Sequence, residues 1–253
     1  MNVETYVELI WRCVRDGVDY PAELRGRLSF DDAYLIQLGL LTRYEQAGDE
    51  QAGWKVGLTA KAIQAQVGAQ EPVFGFLLKS AHRPSGTTFD YGSLTRPGFE
   101  NELCLTLGKG LRGPRVALEE AREAISHVAP AFEIIEGRGG ANADLALALA
   151  DNAQQRFFVT GAPSPLGEVD LAAVSVEVSV NGTGQERALG QEVLGTPVAS
   201  IAWLANKLAQ FGRHLEKGDQ VMSGSFTKQY NLSRNDIIVS RFEPFGSVRA
   251  EFR

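Results

Sequence analysis

The chain has 253 residues, is 44% hydrophobic and 22% charged, and carries a formal net charge of -6; it suits a globular domain with a sizeable core, and with no Lys/Arg cluster it does not suit a nucleic-acid partner. The two cysteines, Cys13 and Cys104, lie far apart and outside any CxxC pair, which argues against a disulfide framework and against a thiolate metal site. The N-terminus carries acids without an uninterrupted apolar core, and the longest apolar run, "LALALA", is too short for a bilayer, so no signal peptide or membrane span is expected and the reading is cytoplasmic.

Residues 2–16 place Val3, Tyr6, Val7, Ile10, Trp11 and Val14 on one helical face. A second helix is expected from about 30 to 47, with Ser29 as N-cap, Asp31 and Asp32 in its first turn and Gly48 at its end. Residues 1–50 thus form a helical lead-in, and 51–253 read as one compact β-rich unit. In that unit "WKVGLT" reads as a strand and "AKAIQAQVG" as a helix stopped by Gly68. "FENELCLTLG" is a strand with Phe99, Leu103, Leu105 and Leu107 on its apolar face, "LEEAREAI" a helix and "PAFEIIEG" another strand. "ADLALALADNAQQRF" holds a short helix and then a loop. "AVSVEVSVNGTGQER" is a hairpin turning at "NG", with Val174, Val176, Val178 and Val180 on one face. "PVASIAWLANKLAQFG" is a helix with Pro197 at its start and Gly212 after it, and "DQVMSGSFT", "DIIVSRF" and "GSVRAEF" close the chain as strands. Many strands with irregular connections give an α+β class, a mixed and mostly antiparallel architecture with peripheral helices. No GxxxxGK[ST] loop points to a nucleotide.

Glu100 and Glu102 stand two residues apart in a strand, so they share a face. Two close carboxylates need a cation or a proton to offset their repulsion, and hard oxygen ligands suit Mg²⁺ or Mn²⁺. The plainer alternative is a solvated strand face. Glu133 lies between Phe132 and Ile134 in another apolar strand, where a buried carboxylate must be paired or bind a metal. It is either a core acid paired with an arginine such as Arg138 or a third ligand; Glu136, beside Gly137 at the strand end, reads as solvated. His82, His127 and His214 lack metal-ligand spacing and read as structural or surface residues.

The segments "WKVGLTAKAIQAQVG", "FENELCLTLG", "HVAPAFEIIEGR", "LADNAQQRFFVTG", "VLGTPVASIAWLANKLAQFG", "VMSGSFT" and "FGSVRAEF", in that order and over nearly the whole chain, resemble the 2-keto-4-pentenoate hydratase/4-oxalocrotonate decarboxylase family of the fumarylacetoacetate hydrolase superfamily. The resemblance implies a fumarylacetoacetase C-terminal-like β-roll or barrel with a helical N-terminal part, usually in homo-oligomers. It implies Mg²⁺ or Mn²⁺ on three carboxylates, which match Glu100, Glu102 and Glu133, and a lysine that matches Lys55. Its chemistry is a metal-stabilised enolate of a small 2-oxo acid. A hydratase uses it to add water to a 2-hydroxy-2,4-dienoate in aromatic catabolism; a decarboxylase uses it to release CO₂ from an oxalocrotonate-type acid. The two kinds of enzyme also form complexes with each other, so a related subunit is a candidate partner, and a non-catalytic acid-binding homologue is the competing class.

Under this resemblance Lys55 is a candidate to bind the substrate oxygens or move a proton, its alternative being a strand lysine with its head in solvent. Ser223 and Ser225 in "SGSFT" are candidates for the substrate carboxylate, or simply small residues in a tight turn. Asp151 and Asn152 are candidates to position water, or they cap a turn. The chain departs from the family at "FGFLLKSAHR", where Lys79 and Ser80 replace an acidic pair, and at "LGTP", where Thr196 replaces a frequent histidine. Lys79 then either binds a second substrate carboxylate or points to solvent; Arg83 and Lys228 are further candidates for a distal anion site.

Overall fold

The computed structural model describes residues 2–139 and 144–253. In chain order its elements are α1 (Val3–Asp16), α2 (Phe30–Gln46), β1 (Gln51–Gly57), α3 (Lys61–Val67), β2 (Val73–Leu78), β3 (His82–Pro84), β4 (Thr87–Phe89), β5 (Pro97–Leu107), α4 (Leu118–Ala124) and β6 (Ile125–Glu136). There follow α5 (Leu145–Ala150), β7 (Gln155–Thr160), β8 (Ser164–Pro165), β9 (Ser175–Val180), β10 (Thr183–Leu189), α6 (Pro197–Leu208), β11 (Gln220–Met222), β12 (Tyr230–Asn231), β13 (Ile237–Glu243) and β14 (Gly246–Phe252).

The helical lead-in forms for local reasons. Asn2 caps α1 by accepting from Thr5 N, and Gly17 ends the helix in the left-handed region. Ser29 and Asp32 make a reciprocal capping box at the start of α2. Both helices then bury apolar stripes (Val7 and Ile10 from α1; Ala33, Ile36, Leu40 and Leu41 from α2) in the same core that the sheets fill.

One sheet runs β2-β1-β11-β5-β6-β7-β3, with β12 beside β5 and β8 beside β6; the other runs β10-β9-β13-β14-β4. All pairings are antiparallel except β1–β11, β14–β4 and β3–β7. β13 and β14 pack against β6, and β14 against β7. The central strands β5 and β6 are buried along nearly their whole length.

One strand had no expectation, and two readings change. "VFGFLL" is β2, a fully buried run that shows no alternation. "QRFFVT", expected as loop, is β7, paired with β6 and β3. In "DQVMSGSFT" only Gln220–Met222 is strand; the chain leaves the sheet at Ser223 and turns through Gly224 at φ +100°. Ala143, at the start of the segment expected to hold α5, lies outside the described residues.

Candidate metal centre

β5 and β6 pair with Glu100 directly opposite Glu133 and Glu102 opposite Ala131. Period-two alternation puts Glu102 on the face of Glu100, and the register brings Glu133 to that face from the next strand. One carboxylate oxygen from each of the three lies within 4.8 Å of the others. Glu102 and Glu133 are wholly inaccessible, whereas Glu100 faces a cavity.

β1 supplies the counter-charge. Lys55 aligns with Met222 of β11, which aligns with Cys104 of β5. Its Nζ donates to Glu133 Oε2 at 3.3 Å and to the Ala153 carbonyl at 3.2 Å. Nζ also lies 3.1 Å from Glu133 Oε1, but without hydrogen-bond geometry. Burial opposes the ammonium; the combined field of Glu133, Glu100 and Glu102 outweighs it and holds the Lys55 pKa above its usual value. Gly75, beside Lys55 in the β1–β2 register, has no room for a side chain: a Cβ would stand 2.8 Å from Asn152 Oδ1 and 3.2 Å from Lys55 Cε.

One lysine does not balance three carboxylates. Burial, then repulsion from Glu133, pushes the Glu100 carboxyl up to about 7. Burial, then Glu133 and Glu100, raises Glu102 well above the carboxylate range, although Gly224 N donates to its Oε2 at 2.8 Å. Glu102 Oε1 and Glu133 Oε1 are buried without any hydrogen-bond partner. Buried carboxylate oxygens left so are costly unless a cation or proton meets them. An all-oxygen anionic set of this kind fits Mg²⁺ or Mn²⁺.

A cavity of about 130 Å³ opens beside Lys55 and Glu100. Leu58, Val73, Ile135, Leu145, Ala148 and Leu149 give it apolar walls, and Gln154 and Gln229 contribute amides. Among its described lining residues Lys55 is the one cation and Glu100 the one acid. Gln154 and Gln229 had no signal in the sequence; only the fold brings the 151–155 turn and the segment after β11 to this mouth.

The other candidates lie elsewhere. Asp151 is buried outside the cavity, accepting from Tyr20 Oη at 2.7 Å and from Arg138 Nε at 2.5 Å. Burial raises its pKa, against the pull of Arg138 and Tyr20. Arg138 pairs with Asp151 and Glu136, not with Glu133. Glu136 is thus buried, 3% exposed, rather than solvated, because two backbone-anchored partners reach it: Arg138, and Thr95 N at 3.0 Å. Ser223 Oγ accepts from Leu103 N at 3.3 Å and Ser225 Oγ from Asn101 N at 3.2 Å, so both serve the β5 backbone where β11 stops. Lys79 pairs with Glu50 on the surface, since antiparallel β1–β2 pairing sets Gln51 against Leu78. Lys228 is exposed, with Nζ 5.4 Å from the Tyr230 ring centre. His82 meets Thr160 and Phe158, His127 meets Ser126, and His214 meets Glu216. Both cysteines are free and buried. Among the described residues no helix is long and apolar enough to cross a membrane.

Known proteins resemble this chain in sequence and in fold. The pattern of the fumarylacetoacetate (FAA) hydrolase C-terminal family matches residues 44–253. A 4-oxalocrotonate decarboxylase of Pseudomonas putida is 35% identical over 236 residues, 92% of this chain and 88% of that protein. A 2-hydroxyhexa-2,4-dienoate hydratase of Comamonas testosteroni is 33% identical over 89% of this chain and 87% of its own. The solved structure of 4-oxalocrotonate decarboxylase from Pseudomonas putida G7, complexed with magnesium and adipate, matches with a TM-score of 0.95 at 34% identity, over 99% of this chain and 97% of that one. With its roll, its register and these relatives in agreement, the chain belongs to the fumarylacetoacetate hydrolase C-terminal family.

Proposed function

We propose that the protein is a divalent-metal-dependent hydratase that adds water to a 2-hydroxy-2,4-dienoate and yields a 4-hydroxy-2-oxo acid. The observation that carries this reading is the three-carboxylate cluster with Lys55, of which Lys55 and Glu100 line a largely apolar cavity. Glu100, Glu102 and Glu133 would hold Mg²⁺ or Mn²⁺. When bound, the cation supplies positive charge where a substrate oxygen becomes negative.

The chain's own groups do the rest. Lys55, whose Nζ lies 3.3 Å from Glu133 Oε2 beside the cavity, presents an N–H donor to the substrate carboxylate or 2-oxygen. Its bond to the Ala153 carbonyl holds Nζ in place. The apolar walls exclude water from the diene and leave its tail in a hydrocarbon environment. The Gln154 and Gln229 amides are the polar groups available at the mouth to position a water.

A second reading, decarboxylation of an oxalocrotonate-type acid, is favoured by the 35% identity to a protein of that name. The site weighs against it. A second substrate carboxylate needs a cation, and the described lining offers none beyond Lys55. Lys79 is held by Glu50, and the stretch at 140–143, "GANA", carries no charged side chain. The test is turnover with Mg²⁺ of 2-hydroxypenta-2,4-dienoate and 2-hydroxymuconate in parallel, following dienoate absorbance and CO₂. Loss of the monocarboxylic dienoate without CO₂ is expected; CO₂ from the dicarboxylate with the dienoate untouched would replace this reading by the second.

A further inference from the structure

Behind the 151–155 turn, on the side away from Lys55, lies a second cavity of about 230 Å³ between the helical lead-in and the roll. It is several times the ~30 Å³ that one water occupies in the liquid. Its charged lining is Arg83, Arg138, Arg156 and one acid, Asp151. In a chain of net charge -6 this is a locally positive chamber.

Two of its donors are unmet. Gln155 is 7% exposed, and its Nε2 has no hydrogen-bond partner. Its amide is oriented, because its Oε1 faces Asn152 Nδ2 at 3.5 Å. Arg156 Nε is also buried without a partner; the nearest acid oxygen, Glu136 Oε2, stands 3.6 Å away and already accepts from Arg138. Arg83 and Arg156 stack on the same ring, 4.8 and 4.9 Å from the centre of Phe157. Arg83 Nη1 donates to the Ser80 and His82 carbonyls, at 2.7 Å each, which leaves its other N–H groups for a ligand. Arg138, in contrast, is already matched by Asp151 and Glu136. The remaining wall sets the apolar side chains of Val14, Leu40, Phe76 and Leu78 beside Tyr44, Ser80 and Asn152.

We propose that this chamber binds a small aliphatic monocarboxylate. Its carboxylate would take the Arg83 and Arg156 guanidiniums and the Gln155 amide, and its short hydrocarbon body would lie against Leu40, Phe76 and Leu78. Planar guanidiniums match a carboxylate with paired N–H···O bonds. Inorganic phosphate meets the same charge but leaves the apolar wall unfilled. The site is separate from the metal centre, because Asn152, Ala153 and Gln154 stand between the two cavities in three successive left-handed conformations, φ 51°, 47° and 65°. Asn152 clamps that partition to β2 by bonding both the N–H and the carbonyl of Phe76.

The test is calorimetric titration of butyrate into the Mg²⁺-loaded full chain and into Glu102→Ala, Arg156→Gln and the Arg83→Gln/Arg156→Gln double variant. Butyrate should bind Glu102→Ala as it binds the parent, and weaken at least tenfold in Arg156→Gln and further in the double variant. The one ion pair of Arg156 among the described residues, to Glu136 at 3.6 Å, is long and its side chain is 38% exposed, so the single variant stays interpretable if the double one does not fold. Butyrate binding that vanishes in Glu102→Ala and survives in Arg156→Gln would assign it to the metal centre and overturn the proposal. Phosphate binding as tightly as butyrate, or no binding of either because water alone fills the chamber, would overturn it too.

Discussion

Lys55 and the three glutamates make opposite demands at the scale of single residues. The glutamates need a cation, whereas Lys55 is held protonated by them and donates. Lys55→Met should therefore separate catalysis from metal binding. Turnover is expected to fall about 10²–10⁴-fold, the usual span for a lost proton-handling group, while Mg²⁺ still binds. Loss of both together, measured by calorimetry and kinetics on one preparation, would show that Lys55 instead builds the metal site. Lys79→Ala should leave turnover at the parental value, because its ammonium lies on the surface beside Glu50 and outside the lining of the cavity at Lys55. A rise in KM for a dicarboxylic substrate would contradict that.

At the scale of elements, the site depends on where β11 ends. Gly224 turns the chain away at φ +100° and points its N–H at Glu102; a Cβ there would stand 2.4 Å from Thr59 Cγ2. Gly224→Ala is expected to cost about 1–3 kcal/mol by denaturant unfolding and to weaken metal binding, since the strain falls beside a ligand. The Arg138 cluster fastens the 151–155 turn that holds Lys55, so Asp151 acts through position rather than contact. Arg138→Met leaves Asp151 and Glu136 buried without their shared cation, and should destabilise the fold by roughly 3–5 kcal/mol. The same elements explain what could be read from the sequence. The amphipathic helices, the Ser29 cap and the Asn181–Gly182 hairpin carry local signals, as does the shared face of Glu100 and Glu102. The opposition of Glu100 and Glu133 is a register between strands some thirty residues apart, which no local pattern encodes. β2 carries no local signal because a strand buried on both faces loses alternation. Glu136 reads as solvated from the sequence because its partner, Arg138, reaches it only in the folded chain.

For the whole molecule, proton, lysine and metal compete to neutralise one buried cluster. The Glu100 carboxyl is raised, by burial first and Glu133 second, to about 7, above its unfolded value. A proton therefore binds the folded, metal-free protein more tightly than the unfolded chain. Its stabilising contribution is complete below the unfolded pKa and is lost as pH rises through about 7. A divalent cation takes the proton's place, so the rise in Tm on adding Mg²⁺ should be larger at about pH 8 than at about pH 5.5. At a hundredfold excess over Kd the stabilisation is about 2.7 kcal/mol, which for a chain of this size raises Tm by roughly 5–10 °C. An equal Tm rise at both pH values would mean that the metal binds without displacing protons from this cluster.

The most direct measurement is calorimetric titration of Mg²⁺ and Mn²⁺ into the parent chain and into Glu102→Ala, with unfolding followed on the same samples. One divalent ion per chain in the parent, and none in a folded Glu102→Ala, is the predicted result. Unchanged binding in that variant, or no binding by a folded parent, would contradict the assignment of Glu100, Glu102 and Glu133 as the metal centre.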